Sequence, residues 1–434
     1  MNESPSSWPA ATPMATPGPT ISFAFNLGKI PDQGEDSDPI LRDGPDLGLV
    51  GVFDGMGGAG GTVYDTPEGR RTGAYLASRI ARDVVERRMM DLLEPDWHLN
   101  GKTAARDLQR SVQQALRQRL EELRATPSGL RSRLIRALPT TMALVALQRT
   151  QPGGPVWAGH VLWAGDSRAY VFESSGMRQV TTDDLRDPGD ALANLRHDSV
   201  VSNAMSADTE FHVNYRRVEL RAPFLVICAT DGCFGYLRTP MHFEHLVLSR
   251  LLEARNTEAW SSSLQAEIAA VTGDDAAMST LGVGADFREF QKLFAPRVAE
   301  LASEFTGPLD ELSDAVARVE QELGALRSRQ LDEMTQRWNR YKSGYERYLQ
   351  PEALVEEDES VSSADQEQTE PIGSDDNGDA TEMSTEDTPL GDGEVESEES
   401  PPTEMSEPIG DSAPERNGEA ERNGEAERNW EASS

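Results

Sequence analysis

The sequence predicts an α+β protein in three parts: a globular body of strands and helices, a helical extension, and an acidic tail. Three observations carry the prediction. Along the first 285 residues, short continuous apolar runs break into Gly-rich turns at acidic residues. Between 305 and 348, apolar residues are spaced alternately by four and three. Beyond 350, 28 Asp and Glu face only 3 Arg.

Taken in chain order, residues 1–20 are rich in Pro, Ser, Thr and Ala and lack both a basic start and an apolar core. They are expected to be a disordered segment, neither signal peptide nor membrane anchor. Leu49–Phe53 is a short strand-type run that breaks at Asp54-Gly55-Met56-Gly57-Gly58. A helix is expected from Gly69 to Met90, packed against a sheet. Trp163–Val171 reads as another apolar strand, with Asp166 inside it and a hairpin turn at Ser174-Ser175-Gly176. Residues 181–215 are polar and turn-rich, which suits an exposed loop. Phe224–Thr230 is a third strand, ending at Asp231-Gly232, and an Asp274-Asp275 pair follows. A continuous apolar run implies a strand buried on both faces, so each Asp emerges at the edge of a core. His242 and His245, with no Cys or third His nearby, are expected on a solvated helix face.

An isolated Asp-Gly is ordinarily a turn, because Asp caps its own backbone and Gly accepts positive φ. Four acidic motifs in fixed order, two of them Asp-Gly, suggest instead a shared divalent-metal site: Glu35-Asp36, Asp54-Gly55, Asp231-Gly232 and Asp274-Asp275.

With "VFDGMGG", "PTTMALVAL", "WAGDSRAY", "ATDGCFGYL" and "GDDAAMSTLGVG" in this order, the chain resembles the metal-dependent protein Ser/Thr phosphatase (PPM, type 2C) family of bacterial type over residues 21–285. The resemblance implies a four-layer α-β-β-α sandwich with two central antiparallel β-sheets, and hydrolysis of phosphoserine or phosphothreonine in proteins. Asp54 would bridge two metal ions; the Gly55 carbonyl and Glu35 would complete one shell, Asp231 and Asp274 the other, with Asp36 supporting them from behind. Asp166, with Asp231, would hold a weaker third ion. Two ions about 3.5 to 4 Å apart acidify a bridging water, giving a hydroxide nucleophile. Hard oxygen ligands favour Mg²⁺ or Mn²⁺ over zinc.

The chain also departs from the family pattern. Pro31 stands where many members carry a phosphate-binding Arg, so Lys29, two residues earlier on an expected strand face, is the candidate phosphate contact. A lysine offers a point charge where Arg offers a planar fork. Arg186 and Arg196 in the 181–215 loop are further candidates. Met56 is usual in bacterial members. The Asp-Asp pair leaves Asp274 or Asp275 open as the ligand, and motif alignment favours Asp274.

Residues 286–350 are read as a helical extension starting near Thr306-Gly307-Pro308, with a slip in the apolar spacing near Gln330 and Gly324 as candidate bend points. Homodimerisation or capture of a partner helix through 297–350 is weighed equally against folding back on the body. The tail, 351–434, ends in three hexapeptide copies beginning at Glu415, Glu421 and Glu427 and is expected to be disordered. The other expected partner is a phosphorylated protein, in a Ser/Thr kinase pathway. A net charge of −34 disfavours nucleic acid, and no run is long enough to span a bilayer. Cys228 and Cys233 suggest no disulfide, and a cytoplasmic location is expected. Arg outnumbers Lys 37 to 4, in keeping with a bacterial origin. The alternative function is a catalytically weak scaffold that acts through its extension and tail.

Overall fold

Apolar runs buried on both faces require two sheets packed face to face, each covered outside by helices. The computed structural model has this arrangement; it describes residues 16–30, 33–67, 69–93, 99–123, 136–196 and 199–348. Residues 1–15, Pro31 and the acidic tail with its hexapeptides lie outside the described residues.

The chain opens with β1 (Pro19–Leu27), β2 (Ile40–Gly44) and β3 (Leu47–Val52), then a short helical turn α1 (Gly57–Gly60). Strands β4 (Val63–Thr66) and β5 (Gly69–Thr72) form a two-stranded ribbon. Helices α2 (Gly73–Leu92) and α3 (Gly101–Glu122) follow, then β6 (Met142–Arg149), β7 (Val156–Ala164), β8 (Arg168–Glu173) and β9 (Gly176–Gln179). After α4 (Ala191–Arg196) come β10 (Asn214–Arg221), β11 (Phe224–Ala229), α5 (Asp231–Phe234), α6 (Pro240–Glu253), α7 (Thr257–Val271) and β12 (Ala276–Val283). Two more helices, α8 (Phe287–Glu300) and α9 (Gly307–Tyr345), flank a π-helical stretch, Leu301–Thr306.

One five-stranded sheet runs β1-β12-β11-β8-β9 and the other β10-β7-β6-β3-β2, all pairs antiparallel. Val50, Val145, Val226 and Leu281 are among the side chains packed between them. Helices α2 and α3 cover the outer face of one sheet through Val85, Leu108 and Val112; α6, α7 and α8 cover the other through Val247, Trp260 and Phe290. The predicted four-layer sandwich is therefore the observed fold.

Several local expectations change. The helix expected from Gly69 starts at Gly73, because residues 69–72 pair with 63–66 in a ribbon that Gly69 enters with a φ of +105°. Thr72 then caps the helix, its hydroxyl accepting from the Tyr75 N–H. Trp163–Val171 is two strands in different sheets: Gly165, φ +105°, turns the chain between them at Asp166. The hairpin at 174–176 forms as expected. At the N-terminus the chain is already in strand at Pro19, on a sheet edge where its missing N–H is tolerated.

The core does not stop at residue 285. Phe290, Phe294 and Leu301 are buried against α6 and α7. Arg297 of α8 makes a two-pronged pair with the buried Glu244 of α6, at 2.8 and 2.9 Å, and Glu244 also accepts from the Met177 N–H of β9. The helix does not begin at Thr306-Gly307-Pro308: Thr306 has helical dihedrals, and the Gly307 N–H reaches back five residues to the Ala302 carbonyl. This wider turn lets Pro308, which has no N–H, continue the helical path. His242 and His245 are only partly exposed rather than on a fully solvated face: His242 Nε2 lies 3.2 Å from Asp310 and His245 Nδ1 3.3 Å from the Thr306 hydroxyl, where the extension leaves the body. Beyond that point α9 is helical through both Gly324 and Gln330, and no residue in it is buried.

Candidate metal centre

Four of the predicted acidic residues lie where a buried element starts or stops. Asp54 follows β3, Asp166 follows β7, Asp231 begins α5 after β11, and Asp274 precedes β12. Glu35 and Asp36 lie in the loop between β1 and β2. The two threonines of the PTT run hold the Asp54 turn: the Thr140 hydroxyl and the Thr141 N–H donate to the Asp54 carbonyl at 2.6 and 2.9 Å. Thr141 also bonds Ser167 at 2.6 Å, tying this turn to the one at Asp166.

The carboxylates are close enough to resist one another's ionisation. Burial, then Asp231, Asp36, Asp166 and Asp274, holds the Asp54 carboxyl well above the usual range. Burial and then Asp274 raise Asp231, against a hydrogen bond with Asp54 that favours its ionised form. Asp36 is raised well above the usual range, chiefly by burial, although the Thr230 hydroxyl donates to it at 2.8 Å. Burial and Asp231 push Asp166 up to about 7. Glu35 is raised by burial and by Asp275 and Asp274, while its bond from Thr72, 2.5 Å, works the other way. Arg168, beside Asp166 and Asp231, is committed elsewhere: its guanidinium clamps Asp183 in a fully buried pair, 2.6 to 3.2 Å.

This is the charge pattern of a site that fits hard cations: all-oxygen donors, desolvated, with the adjacent arginine already paired. The side chains are not closed around a point; among the described residues no group of three or more His, Cys, Asp or Glu is set to hold a metal ion as it stands. Asp54 and Asp231 are close enough to act directly on each other's ionisation.

The structure separates Asp274 from Asp275. Asp275 accepts from the backbone N–H groups of Lys29, at 2.7 Å, and Glu35, at 2.5 Å, and so fastens the acidic loop. Asp274 is the member of the pair that acts electrostatically on Asp54 and Asp231. Lys29 lies past the end of β1 in a bend rather than on a strand, and its N–H donates to Asp275; position 31 lies outside the described residues.

Other residues that shape the site gave no signal in the sequence. Arg79 of α2 donates to the carbonyls of Gly34, Glu35 and Asp36 at 3.0 to 3.2 Å, and its guanidinium lies 3.4 Å from the Tyr75 ring centroid. Ser78 donates to the Glu35 carbonyl at 2.5 Å. Gly57, already marked in the sequence as part of the Asp54 turn, leaves room for Glu35: a Cβ there would meet Glu35 Oε2 and push that carboxylate aside. Beside the carboxylates lies a cleft of about 310 Å³, lined by Asp166, Asp231, Asn194, Arg196 and Tyr236 among others. Of the two loop arginines, Arg196 lines the cleft; Arg186 is not among the lining residues, although its neighbour Leu185 is, and its backbone N–H donates to the Val200 carbonyl.

A family model described as Protein phosphatase 2C matches residues 41–271. The chain belongs to the protein phosphatase 2C family. The matched span holds Asp54, Asp166 and Asp231; the other two acidic pairs flank it and are brought in by β1 and β12, which pair with each other. Similar solved structures include the serine/threonine phosphatase PstP/Ppp of Mycobacterium tuberculosis, 17% identical, covering 61% of this chain and 98% of that one at a TM-score of 0.42. The catalytic domain of PstP in complex with two manganese ions is similar at 15% identity, 61% and 98% coverage and a TM-score of 0.41. A sex-determining protein of C. elegans is similar at 14% identity, 63% and 67% coverage and 0.46. No curated protein matches the chain.

Proposed function

We propose that this type 2C family member is an active metal-dependent phosphatase that hydrolyses phosphoserine or phosphothreonine in proteins. One observation carries the reading: Asp54, Asp231, Asp166 and Asp274 interact electrostatically beside an open cleft, with the neighbouring Arg168 spent on Asp183. Glu35, Asp54 with the Gly55 carbonyl, Asp231 and Asp274 would hold two divalent ions, Mg²⁺ or Mn²⁺, with Asp166 the candidate for a third and Asp36 supporting from behind. When bound, such ions supply the charge that acidifies water and screens phosphoryl oxygens.

The protein's own groups orient and exclude. Thr140 and Thr141 fix the Asp54 backbone, Thr230 fixes Asp36, and Arg79 with Asp275 pins the loop that carries Glu35. With Pro31 in the family's Arg position, Lys29 and Arg196 are the candidate contacts for the substrate phosphate. Arg196 has the better placement, because it lines the cleft. A cleft this open suits a phosphorylated side chain on a protein surface.

The test is Mn²⁺-dependent hydrolysis of p-nitrophenyl phosphate and a phosphothreonine peptide by the full chain, compared with Asp54→Asn and Asp231→Asn. Metal-dependent turnover lost in both variants supports the proposal. Tight metal binding without turnover favours the scaffold reading, and Pro31→Arg is then the first variant to make.

A further inference from the structure

From Leu312 to Tyr345, ten large apolar side chains of α9 stand 42 to 67% exposed in a helix whose other positions are polar or small. They form one stripe. The "a"-type positions, Leu309 to Tyr345, cover five repeats in 36 residues, or 7.2 per repeat, which is two turns of a straight α-helix. A strict seven-residue repeat would drift about 20° per heptad on a straight helix, and the extra residue between Leu326 and Leu331 cancels that drift. The slip near Gln330 is therefore no break, in keeping with the unbroken helix.

We propose that this stripe is a homodimer seam, on which α9 of a second copy of the chain packs antiparallel, centred between Ser328 and Arg329. The spacing supports this register, since steps of three and four run outward symmetrically from the five-residue step. Reversed about that centre, Leu312 meets Tyr345 of the other copy, Val316 meets Tyr341, and Val319 meets Trp338. Three aliphatic residues of one half thus face aromatic residues of the other, while nearer the centre Leu323 meets Met334 and Leu326 meets Leu331, so bulky layers lie at the ends and aliphatic ones in the middle. The aromatic half is already gathered, with the Trp338 and Tyr345 ring centroids 5.5 Å apart.

Charge selects the direction. Residues 307–326 carry five acidic groups and one Arg, net −4; residues 327–345 carry five basic groups and two acidic, net +3. An antiparallel pair lays the acidic half on the basic half. A parallel pair would place like on like along its whole length and stack Trp338 on Trp338. The inference does not depend on catalysis.

The full chain should show twice the 47.5 kDa mass of one copy in sedimentation equilibrium, and Leu323→Glu with Leu326→Glu should return it to one. Direction is read by cysteine crosslinking, for which the native Cys228 and Cys233 are buried. Val316→Cys and Tyr341→Cys should each fail to crosslink alone, since like positions lie 25 residues apart along the axis, about 38 Å. Mixed, they should crosslink to a heterologous dimer. A monomeric wild type, a dimer that survives the double Glu variant, or crosslinking of each variant with itself would overturn the proposal.

Discussion

Asp166 offers a quantitative test of the carboxylate cluster. Its carboxyl is pushed up to about 7, first by burial and then by Asp231, whereas in the unfolded chain it titrates near the ordinary Asp value of 3.8. Between those values the folded protein holds a proton that the unfolded chain has released. Unfolding free energy in metal-free protein therefore falls as pH rises. Integrated from pH 5 to 8, this one group removes about 2.5 kcal/mol, or about 5 °C of Tm. Asp166→Asn has no such proton to lose, and it relieves Asp54 of one of the charges that hold its carboxyl up. After chelation, the variant should have a flatter Tm-versus-pH line than wild type by about that amount and should melt higher at pH 8. Differential scanning calorimetry across pH 5 to 8 with EDTA reads both. Equal slopes would refute the argument, because Asp166 would then be ionised and solvated in the folded state.

Other expectations follow from single contacts. Adding Mn²⁺ to wild type at pH 8 should raise Tm by several degrees and reduce its pH slope, since cations replace the protons the cluster otherwise requires; calorimetry with and without metal reads this. Thr230→Val deprives the buried Asp36 of its hydroxyl donor and should cost about 1 to 3 kcal/mol in urea unfolding. Arg297→Ala leaves Glu244 buried without its partner and should cost about 3 to 5 kcal/mol, with Glu244→Gln in the same chain recovering part of it. Gly57→Ala should weaken Mn²⁺ binding about tenfold by isothermal titration, because the added methyl displaces the Glu35 carboxylate.

Much of the body was legible because its strands are buried on both faces. Leu49–Phe53 and Phe224–Thr230 read as continuous apolar runs, and the acidic turns stood at their ends. Glu35 and Asp36 lie in a loop with no periodic pattern, and only the ordered resemblance drew attention to them. The β4–β5 ribbon escaped because short polar strands at a Gly turn look like the approach to a helix. The strand through Asp166 divided because one Gly in a left-handed conformation outweighs apolar continuity. Arg79, Asp183 and Thr230 were invisible for another reason: each acts on a partner distant in sequence, and nothing local marks such a pairing. At His242 and His245, helical spacing was read correctly, but what covers that face is a segment 60 or more residues later.

The position of β12 bears on when the folded body can come into being. It is the last strand of the body, yet it sits between β1 and β11, so Thr20 reaches Gly282 across 262 residues of chain. Asp274 and Asp275 travel with it. Until β12 inserts, one sheet is split, β1 has no neighbour, and the Glu35 loop lacks the carboxylate that fastens it. A nascent chain is synthesised from its N-terminus, so strands and helices can collapse early while the acidic residues stay scattered. Closure of the sheet and completion of the site are thus one event, and a chain truncated before residue 283 has neither.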